Sequence, residues 1–369
     1  MTNRERFLAL MEFETPDRLP NYELGAWGQA YDRWIGEGLP MEELYGDWFD
    51  GEPYLELERR GFAPINVSLL PPFDYEVLAE DERYITARNG AGIVTRALKE
   101  GTARGTRWCM DQYLSHPVTD RASFAAIKQR YQPHQLTRYP IWWDEWARIW
   151  ATRDYPLCLL RNGSFGLYSQ LRSWVGTENL SYLFYDDPAF VGEMIEFAAD
   201  FLLATVERGL TGVQYDYFNF FEDFAGKGGP LLSPAIFRQL FLPAYQRIIG
   251  RLRQAGIKHF WLDSDGDPRA LIPLMIEAGI TCLWPLEVAS GMDAVELRRE
   301  WGHDLALAGG IDKREIAKNR AAIDRELERR ILPLREAGGY LPHLDHTFPP
   351  DVSYDNLRYY LDKKRELLA

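Results

Sequence analysis

Three cysteines in 369 residues, Cys109, Cys158 and Cys282, are too few and too widely spaced for a disulfide framework or a thiolate metal cluster. Positive charge is also short: 42 Lys and Arg against 55 Asp and Glu leave a net charge of −13. Such a field repels phosphate backbones and argues against nucleic acid as a partner. No run approaches the roughly 18 uncharged apolar residues of a membrane span. The opening MTNRERFLALMEF reads as a charged amphipathic helix, without the apolar centre of a secretory leader. No GxGxxG follows the first strand, so an open dinucleotide-binding sheet lacks its phosphate turn. No Ser- or Gly-rich linker divides the β/α-patterned part of the chain. These absences predict a cytoplasmic protein with one domain over 1–369 and a small-molecule substrate.

What is present is a large core and a repeated pattern. Hydrophobic residues make up 46% and aromatics 14%, with twelve Trp; rings such as Trp27, Trp261 and Trp284 either pack the core or wall a pocket. From about residue 155, short apolar runs alternate with helical segments. Runs are read at 157–160, 212–216, near Phe260, near Leu283, at 304–308 and at 339–342. Asp187-Pro188 opens a helix running to about Arg208, Ser233-Pro234 opens one that Gly256 ends, and a last one begins near Ser353. Six β/α steps make a parallel sheet. The first 150 residues add a helix, strand candidates at 20–24 and 65–69, and a hairpin turning at Asn89-Gly90. Two early strands plus six later ones predict a (β/α)8 TIM barrel with an N-terminal helical and hairpin elaboration.

The segment 259–293 carries most of the chemistry. One apolar run ends in Asp263, Ser264 and Asp265, and the next, through Trp284, ends at Pro285 and Glu287. Barrel sites form at the carboxyl ends of strands, so Asp263, Asp265 and Glu287 are candidate catalytic residues. For Asp265 the alternative is a turn or cap. For Glu287 it is a surface loop. His343 and His346 are two of six histidines, and His346 is the preferred catalytic one. Asp345 is a candidate to orient an imidazole. Asp216, Glu222 and Asp223 close an earlier run or form an acidic loop. Asp312 after Gly309-Gly310 is either in the pocket or an N-cap. Arg161 is the cation placed to bind a substrate carboxylate, or else a salt-bridge partner. Trp284 and His343 complete the candidate substrate contacts.

These strand ends resemble the uroporphyrinogen decarboxylase superfamily, which includes cobalamin-linked methyltransferases. The resemblance is carried by Asp186-Asp187-Pro188, by LDSDGDPRALIPLMIEAGI, by GGID and by GGYLPHLDHTFPPDVSYDN. It implies a barrel fold and often a homodimer. In the methyltransferase branch, the strand matching 260–265 ends in His-x-Cys, and a later Cys completes a zinc site. Here those positions are Asp263 and Asp265, so Asp263, Glu287 and His346 become the expected ligands of a divalent metal, zinc or a harder ion. The decarboxylase branch carries a paired-arginine motif where this chain reads LPNYELGAWGQAYDRW, with Arg33 alone. The resemblance therefore implies first a metal-assisted methyltransferase or demethylase working with a corrinoid protein. A metal-free decarboxylase or lyase of a small carboxylated substrate stands second, and a binding barrel without catalysis third.

Overall fold

The C-terminal two-thirds folds as its alternation predicts. The computed structural model describes residues 1–44 and 48–369. Seven parallel strands form one curled sheet: β1 (Gly61–Phe62), β2 (Leu157–Cys158), β3 (Tyr217–Phe221), β4 (His259–Asp263), β5 (Cys282–Trp284), β6 (Ala306–Ala308) and β7 (Tyr340–Leu341), neighbours in that order. Helices start where their caps stand. Asp187 accepts from the Phe190 N–H ahead of Pro188–Val206, Ser233 from the Ile236 N–H, and Ser353 from the Asn356 N–H ahead of the last helix, Tyr354–Leu368. Side chains alternate between two cores. Phe218, Phe220, Phe260, Leu262 and Leu283 pack outward among the helices, whereas Cys158, Tyr217, Trp261, Cys282, Trp284, Ala306 and Ala308 point into the curl. Helix α1 (Asn3–Met11) plugs one end, its Phe7 ring 5.9 Å from Trp261 and 5.3 Å from Tyr217.

Two early strands were misplaced. The first parallel strand is at 61–62, not 65–69. The candidate at 20–24 forms no ladder: Pro20 lacks a donor, and polar side chains engage the backbone groups around it. Segment 19–26 instead runs between the sheet's two edges. Phe348 donates to the Gly25 carbonyl at 2.9 Å and Trp27 to the Phe348 carbonyl at 3.0 Å. On the other side Glu58 donates to the Asn21 carbonyl at 2.9 Å. The observed architecture is thus a curled parallel half-barrel with helices outside it. A third expectation also moves: the run at 212–216 precedes its strand, which is the aromatic stretch 217–221.

The hairpin at Asn89-Gly90 is present. The Asn89 side chain accepts from the Ala91 and Ile93 N–H groups at 3.0 and 3.1 Å. It belongs to a four-stranded antiparallel sheet, Glu76–Glu80, Tyr84–Arg88, Val94–Leu98 and Gln112–Ser115. A second small hairpin, Thr102–Ala103 with Thr106–Arg107, packs on the start of α2 (Gly28–Gly36). A Cβ on Gly28 would lie 1.8 Å from the Ala103 carbonyl oxygen, so only glycine admits this contact. Since Ala26 bridges Phe348, two residues beyond His346, the small hairpin is anchored close to the strand-end rim. Among the described residues, no helix is long and apolar enough to cross a membrane.

Candidate active site at the strand-end rim

Asp263 is the last residue of β4 and, two positions beyond inward-facing Trp261, shares its face. Among the described residues nothing donates a hydrogen bond to its carboxyl. Burial, then the charges of Asp265 and Asp223, push its pKa well above the carboxylate range. Asp265 follows the strand, its Oδ2 3.8 Å from His346 Nε2. Burial and the neighbouring Glu287 and Asp223 raise its pKa, while His346 and Lys313 pull it back. With its side chain 45% exposed, water screens much of that repulsion. Glu287 Oε2 accepts from the Gly266 N–H at 3.1 Å and from Ser290 Oγ at 3.0 Å, which braces the loop carrying Asp265. Leu286, just before it, holds a left-handed φ of 63°, and backbone strain of this kind clusters at functional sites. His346 Nδ1 is 2.9 Å from Thr347 Oγ1. The four candidate catalytic residues therefore meet at one rim.

Asp345 is buried and ties the next loops together, accepting from the Val288 N–H (3.1 Å), the Lys313 N–H (3.2 Å) and Lys313 Nζ (3.3 Å). The sequence made it a candidate to orient an imidazole; it instead holds backbone and Lys313. Inside the curl, His343 gives Nδ1 to the Leu344 carbonyl at 2.6 Å and lies edge-on to Trp284. Burial, with Arg60 nearby, lowers its pKa far enough to keep it neutral. Trp284 Nε1 donates to Asn219 Oδ1 at 2.8 Å.

Three candidates, Asp216, Asp312 and Glu222, belong elsewhere. Asp216 lies at the amino end of β3, about 16 Å of strand from the active rim. It pairs there with Arg4 (2.9 Å) and Arg153 (2.7 Å) and accepts from the Leu157 N–H. The misplaced strand explains the error. Asp312 is the N-cap of Lys313–Ile316, accepting from the Arg314 N–H at 2.9 Å; although burial opposes it, Arg314 holds its pKa low. The close approach signalled by its glycines is internal: a Cβ on Gly309 would fall 2.0 Å from the Pro285 carbonyl oxygen. Arg161 packs over the Phe62 ring at 5.2 Å, beside a cavity of about 170 Å³ that Arg60 also lines.

Glu222 turns away from the rim and caps α3 (Leu167–Val175). Its carboxylate accepts from the Leu167 and Ser169 N–H groups and from the Tyr245 hydroxyl. Burial nevertheless pushes its pKa up to about 7, against those donors. A carboxyl at 4.5 when unfolded and near 7 when folded binds its proton more tightly in the native state. Its contribution is full below pH 4.5 and lost as pH rises through 7, about 3 kcal/mol in all. Glu222→Gln is expected to flatten that part of the stability profile, read as denaturation midpoints between pH 4.5 and 7.5.

Among the described residues, no three His, Cys, Asp or Glu side chains are grouped so as to hold a metal ion. Asp263, Glu287 and His346 do not form a coordination set, and Glu287 is engaged with Gly266 and Ser290. Burial pushes the Cys158 thiol up to about 12 and Cys282 well above its ordinary value. Arg172, Lys313 and Asn219 were not anticipated. Asn219 left a signal, the lone polar side chain in YFNFF and inward by period two. Arg172, on a helix and paired with Asp223 at 2.6 Å, left none.

Comparison with known proteins places this rim in context. The family model described as uroporphyrinogen decarboxylase (URO-D) matches residues 112–367. Uroporphyrinogen decarboxylase of Hahella chejuensis is 24% identical over 187 residues, 48% of this chain and 47% of that protein. The enzyme of Thermus thermophilus is 27% identical over 183 residues, 48% of each. The chain thus spans about half the length of these curated relatives. A methyltransferase from Methanosarcina mazei shares the fold over 100% of both chains, with a TM-score of 0.64 at 16% identity. With the family model matching well over half of it, from the antiparallel sheet through the last helix, the chain belongs to the uroporphyrinogen decarboxylase family.

Proposed function

We propose that the protein is an enzyme that decarboxylates, or otherwise cleaves, a small carboxylated substrate by proton transfer from Asp263. The observation that carries this reading is the Asp263 carboxyl at the end of β4, to which nothing among the described residues donates a hydrogen bond, with burial and the charges of Asp265 and Asp223 raising its pKa well above the ordinary value. A carboxyl group whose pKa is raised in this way holds its proton more tightly than an exposed carboxylate and is suited to act as a general acid. In decarboxylation the C–C bond breaks, CO2 departs, and the electron pair passes into the substrate's own π system. Asp263 then delivers its proton to the carbon that lost CO2 and becomes a carboxylate. Asp265 and His346, half-exposed at the rim, return a proton from solvent. No step passes through a metal.

The test is a panel of small carboxylated compounds incubated in deuterium oxide. Release of CO2 with one deuterium at the vacated carbon is the expected product. A methylated acceptor formed with added corrinoid and no CO2 would overturn the assignment. That outcome is the second reading, methyl transfer with a corrinoid carrier, suggested by the named activity of the Methanosarcina mazei structure. There Asp263 would protonate the departing heteroatom.

A pH prediction separates the two aspartates. Asp265 raises the Asp263 pKa through its negative charge, so Asp265→Asn removes part of that push. The alkaline limb of the rate profile, where Asp263 loses its proton, is expected to move to lower pH. An unmoved limb, or one moved upward, contradicts the pairing.

A further inference from the structure

A cavity of about 520 Å³ lies away from the sheet's interior. It opens between the antiparallel sheet, the end of α3, and the start of α4 (Thr177–Asp186). One wall is apolar and flat: Tyr113 stacks on His116, ring centroids 5.9 Å apart and planes 9° apart, with Met110 beside them. Met110 and Tyr113 are 83% and 53% exposed, a large apolar exposure for side chains lining a pocket. His116 is fixed, its Nδ1 3.1 Å from the Ser173 carbonyl.

The opposite side carries Arg172. Its guanidinium is clamped on Asp223, Nη2 to Oδ2 at 2.6 Å and Nη1 to the Asp223 carbonyl at 3.3 Å. Those bonds use two of five N–H donors, and among the described residues no acceptor takes the rest. The guanidinium is therefore held still with donors to spare, which suits a planar anion. Asp223 also connects this cavity to the reaction rim, because its charge reaches both Asp263 and Asp265.

We propose that this cavity is the substrate chamber and that it takes a small, flat carboxylate. The ring lies against Tyr113 and His116, and the carboxylate bonds the free N–H edge of Arg172. The carboxylate bound by Arg172 is the far end of the substrate and is retained; the group that departs, in decarboxylation a second carboxyl lost as CO2, lies toward Asp263. This assignment of a substrate rests on the proton-transfer reading; binding in the chamber does not.

The test uses benzoate and its neutral isostere benzamide on the full chain. Binding is followed by calorimetry and by the methyl signal of 13C-labelled Met110. Saturable benzoate binding that shifts Met110 is expected, with benzamide at least tenfold weaker. Arg172→Gln should abolish the preference, Arg172→Lys should restore part of it, and Tyr113→Ala should weaken both probes. The Asp263→Asn protein, which keeps the chamber, should bind benzoate like the wild type. Equal affinity for the two probes, an unmoved Met110, or Arg172→Gln binding as wild type would each overturn the proposal. If Asp263→Asn retains turnover while benzoate still requires Arg172, the proton-donor reading fails and the chamber stands.

Discussion

Asp263→Asn is expected to lower turnover by about 10²- to 10⁴-fold, the usual contribution of a positioned general acid. The substitution preserves shape and removes only the transferable proton. The loss should fall on kcat, with substrate affinity little changed, because an amide at this position still fills the same space. The same variant should be more stable at neutral pH. Asp263 has its pKa raised on folding, so its contribution is present below the ordinary carboxylate range and is lost as pH rises toward the folded value. An asparagine carries no such loss. A higher denaturation midpoint at pH 8 together with collapsed activity is the signature of a residue kept for chemistry at the expense of stability. A variant that loses stability and activity together would instead make Asp263 a structural residue.

Lys364→Met is expected to destabilise the fold by about 3–5 kcal/mol, because it leaves a carboxylate buried without its counter-ion. Lys364, in the last helix (Tyr354–Leu368), bonds Glu23 at 2.6 Å, and both side chains are fully buried. Glu23 also accepts from the Tyr360 hydroxyl at 2.6 Å and the Leu344 N–H at 3.1 Å, and Lys364 reaches the Tyr22 carbonyl at 2.7 Å. This cluster joins segment 19–26 to the last strand-end loop and the last helix. It holds together the seam where no strand ladder exists. The double variant Glu23→Gln/Lys364→Met should recover much of the loss, since it removes both charges and leaves no orphan ion. Chemical denaturation of the two single variants and the pair forms the cycle that measures their coupling. Single and double variants of equal stability would show that the pair does not carry the seam.

The residues that the sequence placed at the rim and those it misplaced differ for a physical reason. Asp263, Asp265, Glu287 and His346 follow short apolar strands, so the pattern that places the strand also places the side chain beyond it. Asp216 misled because the aromatic run Tyr217–Phe221 is buried on nearly its whole length. With no polar alternation, its start could not be told from its end. Glu222 and Asp223 are adjacent acids with opposite fates: one caps α3 and the other faces the chamber. Only the crossing of α3 over the end of β3 decides between them. There a Cβ on Gly166 would fall 1.8 Å from the Phe221 carbonyl oxygen.

The sequence by itself determined the parallel β/α order, the helix caps at Asp187, Ser233 and Ser353, the hairpin turn at Asn89, and the acidic strand ends at 263–265 and 287. Each is a local property, set by periodicity, capping or turn chemistry within a few residues. Tertiary structure alone decided that 19–26 bridges the sheet edges without becoming a strand and that Glu222 is a cap. It alone decided that no metal-holding trio forms among the described residues, and that Arg172 and Asp223 meet beside the antiparallel sheet. Those outcomes depend on contacts between residues tens to hundreds of positions apart, such as Glu23 with Lys364. Local pattern cannot encode them, because the same side chain is stable in several settings until packing chooses one.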